Sequence, residues 1–118
     1  MTLYDYLKLH KEDEIVVTDT DYDTESYWYW YDESNIEENS DEFTTIRLSK
    51  LLKVKKVNNW NVVCNISDLI EKHIGKLEES NLFNHCDIDS IMYDFDNIVA
   101  GYVSEQWFKK FVDILSSK

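Results

Sequence analysis

Between Glu12 and Ile46 the chain carries thirteen acidic residues and no lysine or arginine. They are Glu12, Asp13, Glu14, Asp19, Asp21, Asp23, Glu25, Asp32, Glu33, Glu37, Glu38, Asp41 and Glu42. The other 83 residues hold 11 acids and 12 bases, a net of about +1, so the formal charge of −12 is concentrated in one third of the chain. Such a block repels nucleic acid and anionic membrane and attracts basic surfaces.

Within this block lies "SYWYWYD", five consecutive aromatics from Tyr27 to Tyr31. Aromatics favour strands, and "EIVVT" (14–18) is β-branched and short. The two are predicted to form a hairpin, with "DTDYDTE" as its turn because aspartates bond locally to backbone and tolerate tight geometry. Side chains alternate across a strand, so Tyr27, Tyr29 and Tyr31 face one way and Trp28 and Trp30 the other. One face enters the core. The other is either covered by helices or left as an aromatic contact surface beside an acidic rim.

The remaining pattern is helical at both ends. Leu3, Tyr6 and Leu7 predict a helix over 2–9 capped by Thr2. Residues 33–41 form a polar loop, followed by a helix over about 43–53 and a strand over 60–66. Ser67 is a candidate cap for a helix with the stripe Leu69, Ile70, Ile74 and Leu77. Ile88, Ile91, Met92, Phe95, Ile98 and Val99 predict a helix over 87–100 that Gly101 ends. Ser104 caps a last helix presenting Trp107, Phe108, Phe111, Val112 and Leu115. The expectation is one α+β domain over 1–118: about three antiparallel strands, including the N-terminal hairpin, packed with four to five helices.

The chain has no proline, two glycines and two cysteines. It contains no apolar run of about 18 residues and opens without the basic and apolar regions of a secretory signal. Two solitary cysteines suit a reduced protein. The expected setting is the cytoplasm of a bacterial host cell, with no membrane association.

Candidate chemistry fails on spacing. Asp19, Asp21, Asp23 and Glu25 alternate like the start of a calcium-binding loop, but Thr24 and Trp30 stand where glycine and the closing acid are required. Cys64, His73, His85 and Cys86 are ligand types without paired spacing, and Cys64 in an apolar strand reads as a small core residue. There is no glycine-rich phosphate loop or nucleophile elbow. The chain is therefore expected to have no catalytic residues, no metal and no cofactor. Arg47, Lys50, Lys53, Lys55 and Lys56 form a modest basic patch, read as a solvated helix end or a partner for the chain's own acids rather than a nucleic-acid site.

The acids suggest a different use. Alternate strand residues repeat about every 6.6 to 6.8 Å on one face, and strands lie about 4.8 Å apart. A duplex carries one charge per roughly 1.7 Å of axis, so carboxylates on a hairpin and loop approach the charge density of a few base pairs. A cleft lined by lysine and arginine attracts such a surface.

The opening "MTLYDYLKL…DEIVVTDTDYDTESYWYWYDE" and the closing "DSIMYDFDNIVAGYVSEQWFKKFVDIL" resemble the ends of small acidic proteins encoded by phages and integrative elements of low-GC bacteria. Anti-CRISPR proteins come from such elements, and acidic ones act as nucleic-acid mimics. The likeness spans most of the chain and contains no shared site motif, so it implies a setting and a mode of action rather than mapped residues. What it implies is a non-enzymatic inhibitor that occludes the basic DNA-binding cleft of a CRISPR effector nuclease. Its partner surface is expected at Asp19, Asp21, Asp23, Glu25, Tyr27, Trp28, Tyr29, Trp30, Asp32, Glu33, Glu37, Glu38, Asp41 and Glu42. The alternative is a regulatory or interaction module of a mobile element. It could be a monomer, or a homodimer formed through the aromatic strand.

Overall fold

Six α-helices pack with one four-stranded sheet in a computed structural model that describes residues 1–117. The helices are α1 (Leu3–Leu9), α2 (Asp41–Leu51), α3 (Ile66–Lys72), α4 (Ile74–Ser80), α5 (Ile88–Val99) and α6 (Glu105–Leu115). The strands are β1 (Ile15–Asp19), β2 (Glu25–Trp28), β3 (Val54–Val57) and β4 (Val62–Cys64). This is the predicted α+β class. Among the described residues no helix is long and apolar enough to cross a membrane.

Strand order is β2-β1-β4-β3, and the sheet is mixed rather than wholly antiparallel. The hairpin β1–β2 is antiparallel, with Ile15 opposite Trp28 and Thr18 opposite Glu25. The central pair β1–β4 is parallel, with Val17 opposite Val62 and Asp19 opposite Cys64. Parallel neighbours need a long connection; here it contains β2, α2 and β3. The strand "VKKV" was not expected, because lysine is a poor strand former. Pairing supplies what propensity does not: β3 bonds to β4, and the Val54 N–H donates to the Met1 carbonyl at 3.0 Å.

The sheet is covered on one face only. Ile15, Val17 and Asp19 of β1, Ser26 and Trp28 of β2, and Val62 and Cys64 of β4 are buried, while their alternates are not. Trp28 is 1% exposed, and its indole N–H donates to the Ser26 hydroxyl at 2.8 Å. Ser26 in turn donates to the Val17 carbonyl. A large apolar side chain thus enters the core without leaving its one donor unpaired.

Local chemistry sets several helix ends. Thr2 and Asp5 form a reciprocal capping box on α1. Ser40 caps α2, Asp87 caps α5 and Ser104 caps α6. Gly101, at φ 91°, turns the chain after α5 in a region L side chains rarely adopt. The α5 face predicted to be apolar is buried through Ile91, Met92, Phe95 and Ile98. Ser67, by contrast, is no cap. The helix begins at Ile66 after Asn65, and the expected single stripe is two short helices divided at His73. His73 is buried with its ring nitrogens 2.9 Å from the carbonyl oxygens of Leu69 and Ser117. That geometry ties the break to the end of α6.

Candidate partner-binding surface

The base-free block does not form one surface. Asp19 faces inward, 7% exposed, and its carboxylate accepts backbone hydrogen bonds from Asp21, Tyr22 and Ser67 at 3.0, 3.2 and 2.7 Å. It organises the turn and anchors α3 instead of facing a partner. Trp28 is likewise withdrawn as a contact residue because it fills the core.

The aromatic run leaves the sheet early. β2 ends at Trp28 because β1 ends opposite it at Ile15, so the strand expected to continue to Asp32 has no ladder partner there. Tyr29 donates its hydroxyl to Glu14 instead. The Trp30 ring lies 5.1 Å from that of Tyr4, with the Lys11 ammonium 5.4 Å from its centroid. Trp30 and Tyr31 are half-buried, whereas Tyr27 and Tyr29 are 50% and 47% exposed. Sheet alternation thus holds for Tyr27 and Trp28, and tertiary contacts decide the rest.

Several candidate acids are engaged within the molecule. Glu33 pairs with Lys50 at 2.8 Å; hydrogen bonds from Lys50 and Tyr4 hold its carboxyl below the usual range. Asp32 caps the 3-10 turn Glu33–Asn35, and the Ser34 hydroxyl and N–H lower its pKa. Asp41 is half-buried with one carboxylate oxygen unpartnered among the described residues; burial, then the Glu42 charge, push its pKa up. Glu33 and Asp41 are half-buried, and Asp32, though exposed, is tied to Ser34. The basic patch divides in the same way: Arg47 binds Asp113 at 2.7 Å and Lys50 binds Glu33, while Lys53, Lys55 and Lys56 are exposed along β3.

Asp21, Asp23, Glu25, Glu37, Glu38 and Glu42 remain exposed. They fall into two groups, because the turn 20–24 and the segment 29–40 leave β2 at opposite ends. The loop group, Glu37, Glu38 and Glu42, leads into α2. The turn group meets acids that the sequence reading did not single out. Tyr22 donates to Asp89 of α5 at 2.6 Å. Asp23, Glu25, Asp89 and Asp96 line one open groove of about 510 Å³ between the hairpin and α5. Asp89 and Asp96 lie seven residues apart on α5, a rise of about 10.5 Å.

A signal for this half of the surface was available. Residues 77–108 contain seven acids (Glu78, Glu79, Asp87, Asp89, Asp94, Asp96 and Glu105) and no lysine or arginine. Averaging all residues outside 12–46 hides this second base-free stretch behind the lysines of 47–76 and 109–118. The fold then sets the two stretches side by side, since α5 packs on β2.

Adjoining this groove across Asp89 and Tyr93 is a second one of about 610 Å³, lined by Leu82, Phe83, Ile98, Val103 and Trp107. Asp94 stands at its edge, and Tyr93 is 85% exposed. Among the described residues no group of three or more potential ligands could hold a metal. Burial, reinforced by the Asp19 charge, pushes the Cys64 thiol up to about 12, which leaves no thiolate nucleophile at neutral pH. No protein family, curated protein or solved structure matches this chain.

Proposed function

We propose that the protein is a non-enzymatic acidic inhibitor acting in the cytoplasm of a bacterial host cell. It docks on the basic nucleic-acid-binding surface of a nucleic-acid-handling enzyme, in the most concrete form a CRISPR effector nuclease. The observation that carries this reading is the groove in which Asp23 and Glu25 of the hairpin face Asp89 and Asp96 of α5. Carboxylates from the hairpin turn, the start of β2 and α5, lining one groove, offer arginine and lysine side chains the kind of anionic track that a phosphate backbone offers. The resemblance to acidic anti-CRISPR proteins supports the same mode of action. Pairing of this kind accelerates encounter and weakens steeply with salt.

The test is inhibition of target cleavage by guide-loaded effectors of low-GC bacteria, with Asp21, Asp23, Glu25 and Asp96 all reversed to lysine. The reading expects the variant to remain folded and to lose about a hundredfold or more in potency. Unchanged potency in a folded variant, or affinity indifferent to salt, would falsify it.

A second reading, a mobile-element interaction module that dimerises, is favoured by one observation. β2 is an edge strand, and Tyr27 and Tyr29 stand exposed beside it. Sedimentation of wild type and Tyr27→Lys tests it: a dimer that the substitution dissociates supports the dimerising module, and a wild-type monomer rules that module out.

A further inference from the structure

The apolar groove beside the acidic one has a preorganised floor. Trp107 stacks on Phe111 with centroids 5.5 Å apart, and Phe83 meets both rings edge-on at 5.1 and 5.8 Å. The Trp107 indole N–H donates to the Leu82 carbonyl at 3.1 Å, which locks its orientation. Even so, Leu82, Phe83, Val103 and Trp107 are only half-buried, so folding leaves apolar surface uncovered here. A concavity of about 610 Å³ is of the size that holds several side chains of a bound ligand.

Charge selects the occupant. Asp89 and Asp94 flank the groove, and neither lysine nor arginine is among its described lining residues. Tyr93 stands between this groove and the neighbouring carboxylates, offering an aromatic face to a cation. An anionic ligand would be repelled by those exposed carboxylates, and a purely apolar one would gain nothing from them.

We propose that this groove binds a lysine- or arginine-bearing segment of the protein partner. One of the segment's aliphatic or aromatic side chains sits on the Phe83–Trp107 floor, and its cation reaches Asp94 and Tyr93. The inference rests on the inhibitor reading and adds an anchor to it. The carboxylates of the hairpin groove supply charge pairing, and this groove supplies the desolvated contact that gives an interface its lasting hold. The aromatics at the centre of recognition are then exposed Tyr93 and half-buried Trp107, in place of the tyrosines of the predicted strand.

Two synthetic helical peptides test it. One alternates leucine and lysine amphipathically, and the other replaces each leucine with serine at equal charge. Each is titrated into the intact protein at physiological ionic strength while the Trp107 indole N–H resonance is followed. The leucine peptide should move that resonance and bind about tenfold or more tighter than its serine counterpart. Tyr93→Lys combined with Asp94→Lys, both at exposed positions, should remove about tenfold of that affinity. Equal binding of the two peptides, an unmoved Trp107 signal, or an unaffected double variant overturns the proposal. So does a Trp107 shift that follows protein concentration without peptide, because the occupant would then be a second copy of the chain. The charge reversal at Asp21, Asp23, Glu25 and Asp96 distinguishes this failure from that of the parent reading: it should cost nuclease inhibition about a hundredfold or more and leave the groove-specific preference for leucine intact.

Discussion

The carboxylate of Asp19 receives a 2.7 Å hydrogen bond from the backbone N–H of Ser67, joining the end of β1 to the first turn of α3. Two further N–H donors, from Asp21 and Tyr22, converge on its other oxygen. A residue counted among surface acids is thus a structural acceptor for three donors.

Replacing Asp19 by alanine should destabilise the protein by about 2 to 4 kcal/mol, since buried donors left unpaired each cost about 1 to 3 kcal/mol. Asp21→Asn and Asp23→Asn, at exposed turn positions, should stay within about 0.5 kcal/mol of wild type. Urea unfolding of the three variants measures the contrast. An Asp19→Ala variant as stable as the other two would contradict the assigned role.

Trp28 and Ser26 make a second buried unit. Trp28→Ala should cost about 3 to 5 kcal/mol through the cavity it opens. Ser26→Ala should cost about 1 to 3 kcal/mol by stranding the indole donor. If the two act as one unit, the losses in the double variant will fall short of their sum. Strict additivity would show that the hydrogen bond contributes nothing.

The Tyr22–Asp89 contact has a spectroscopic signature. The hydrogen bond to Asp89, then burial, raise the Tyr22 phenol from its ordinary 10.0 to about 12. A raised acid favours the folded state below its unfolded value, and that contribution is lost as pH climbs from about 10 toward 12. Phenolate absorbance should show a late-titrating tyrosine near this value, brought closer to 10 by Asp89→Asn. Titration unchanged by the substitution would mean the two side chains do not meet in solution.

Acid should act on a different pair. Partial burial pulls the Asp113 carboxyl up, but hydrogen bonds from Arg47 and Lys109, with their charges, outweigh it and hold the pKa below 3.8. The stabilisation from a depressed carboxylate is present above that ordinary value and is lost as pH falls through the folded one. A double-mutant cycle on Arg47 and Asp113 should give about 0.5 to 1 kcal/mol at neutral pH, modest because both side chains reach water. The coupling should vanish in strong acid. A coupling that persists there would point to packing instead of charge.

What was legible in the sequence was local. Thr2, Ser104, Gly101 and the α5 stripe identify their helix ends and faces because caps and 3.6-residue periodicity need only neighbouring residues. Ser67 misled because a cap is recognised by residue type, whereas this helix starts two residues earlier than a Ser67 cap implies, at Ile66 after Asn65. The parallel β1–β4 pair was not legible, because it joins chain about 45 residues apart; the strand "VKKV" pairs with chain only five to ten residues on, and was hidden by the weak strand preference of its lysines. Asp19 looks like its neighbours in the turn until the register with Cys64 turns it inward. The carboxylates of α5 could have been found by counting charge in shorter windows. Their meeting with the hairpin could not.

The strand order has a consequence for motion through solution. The sheet carries Glu25 on one outer strand and Lys55 and Lys56 on the other, three strand spacings or about 14 Å away. That separation exceeds the physiological screening length of about 8 Å, so the two edges are felt separately. These side chains contribute a charge asymmetry across the sheet in addition to the net charge. A basic surface would exert a torque on the approaching molecule, turning β2 and the α5 groove inward and the lysine edge outward before contact.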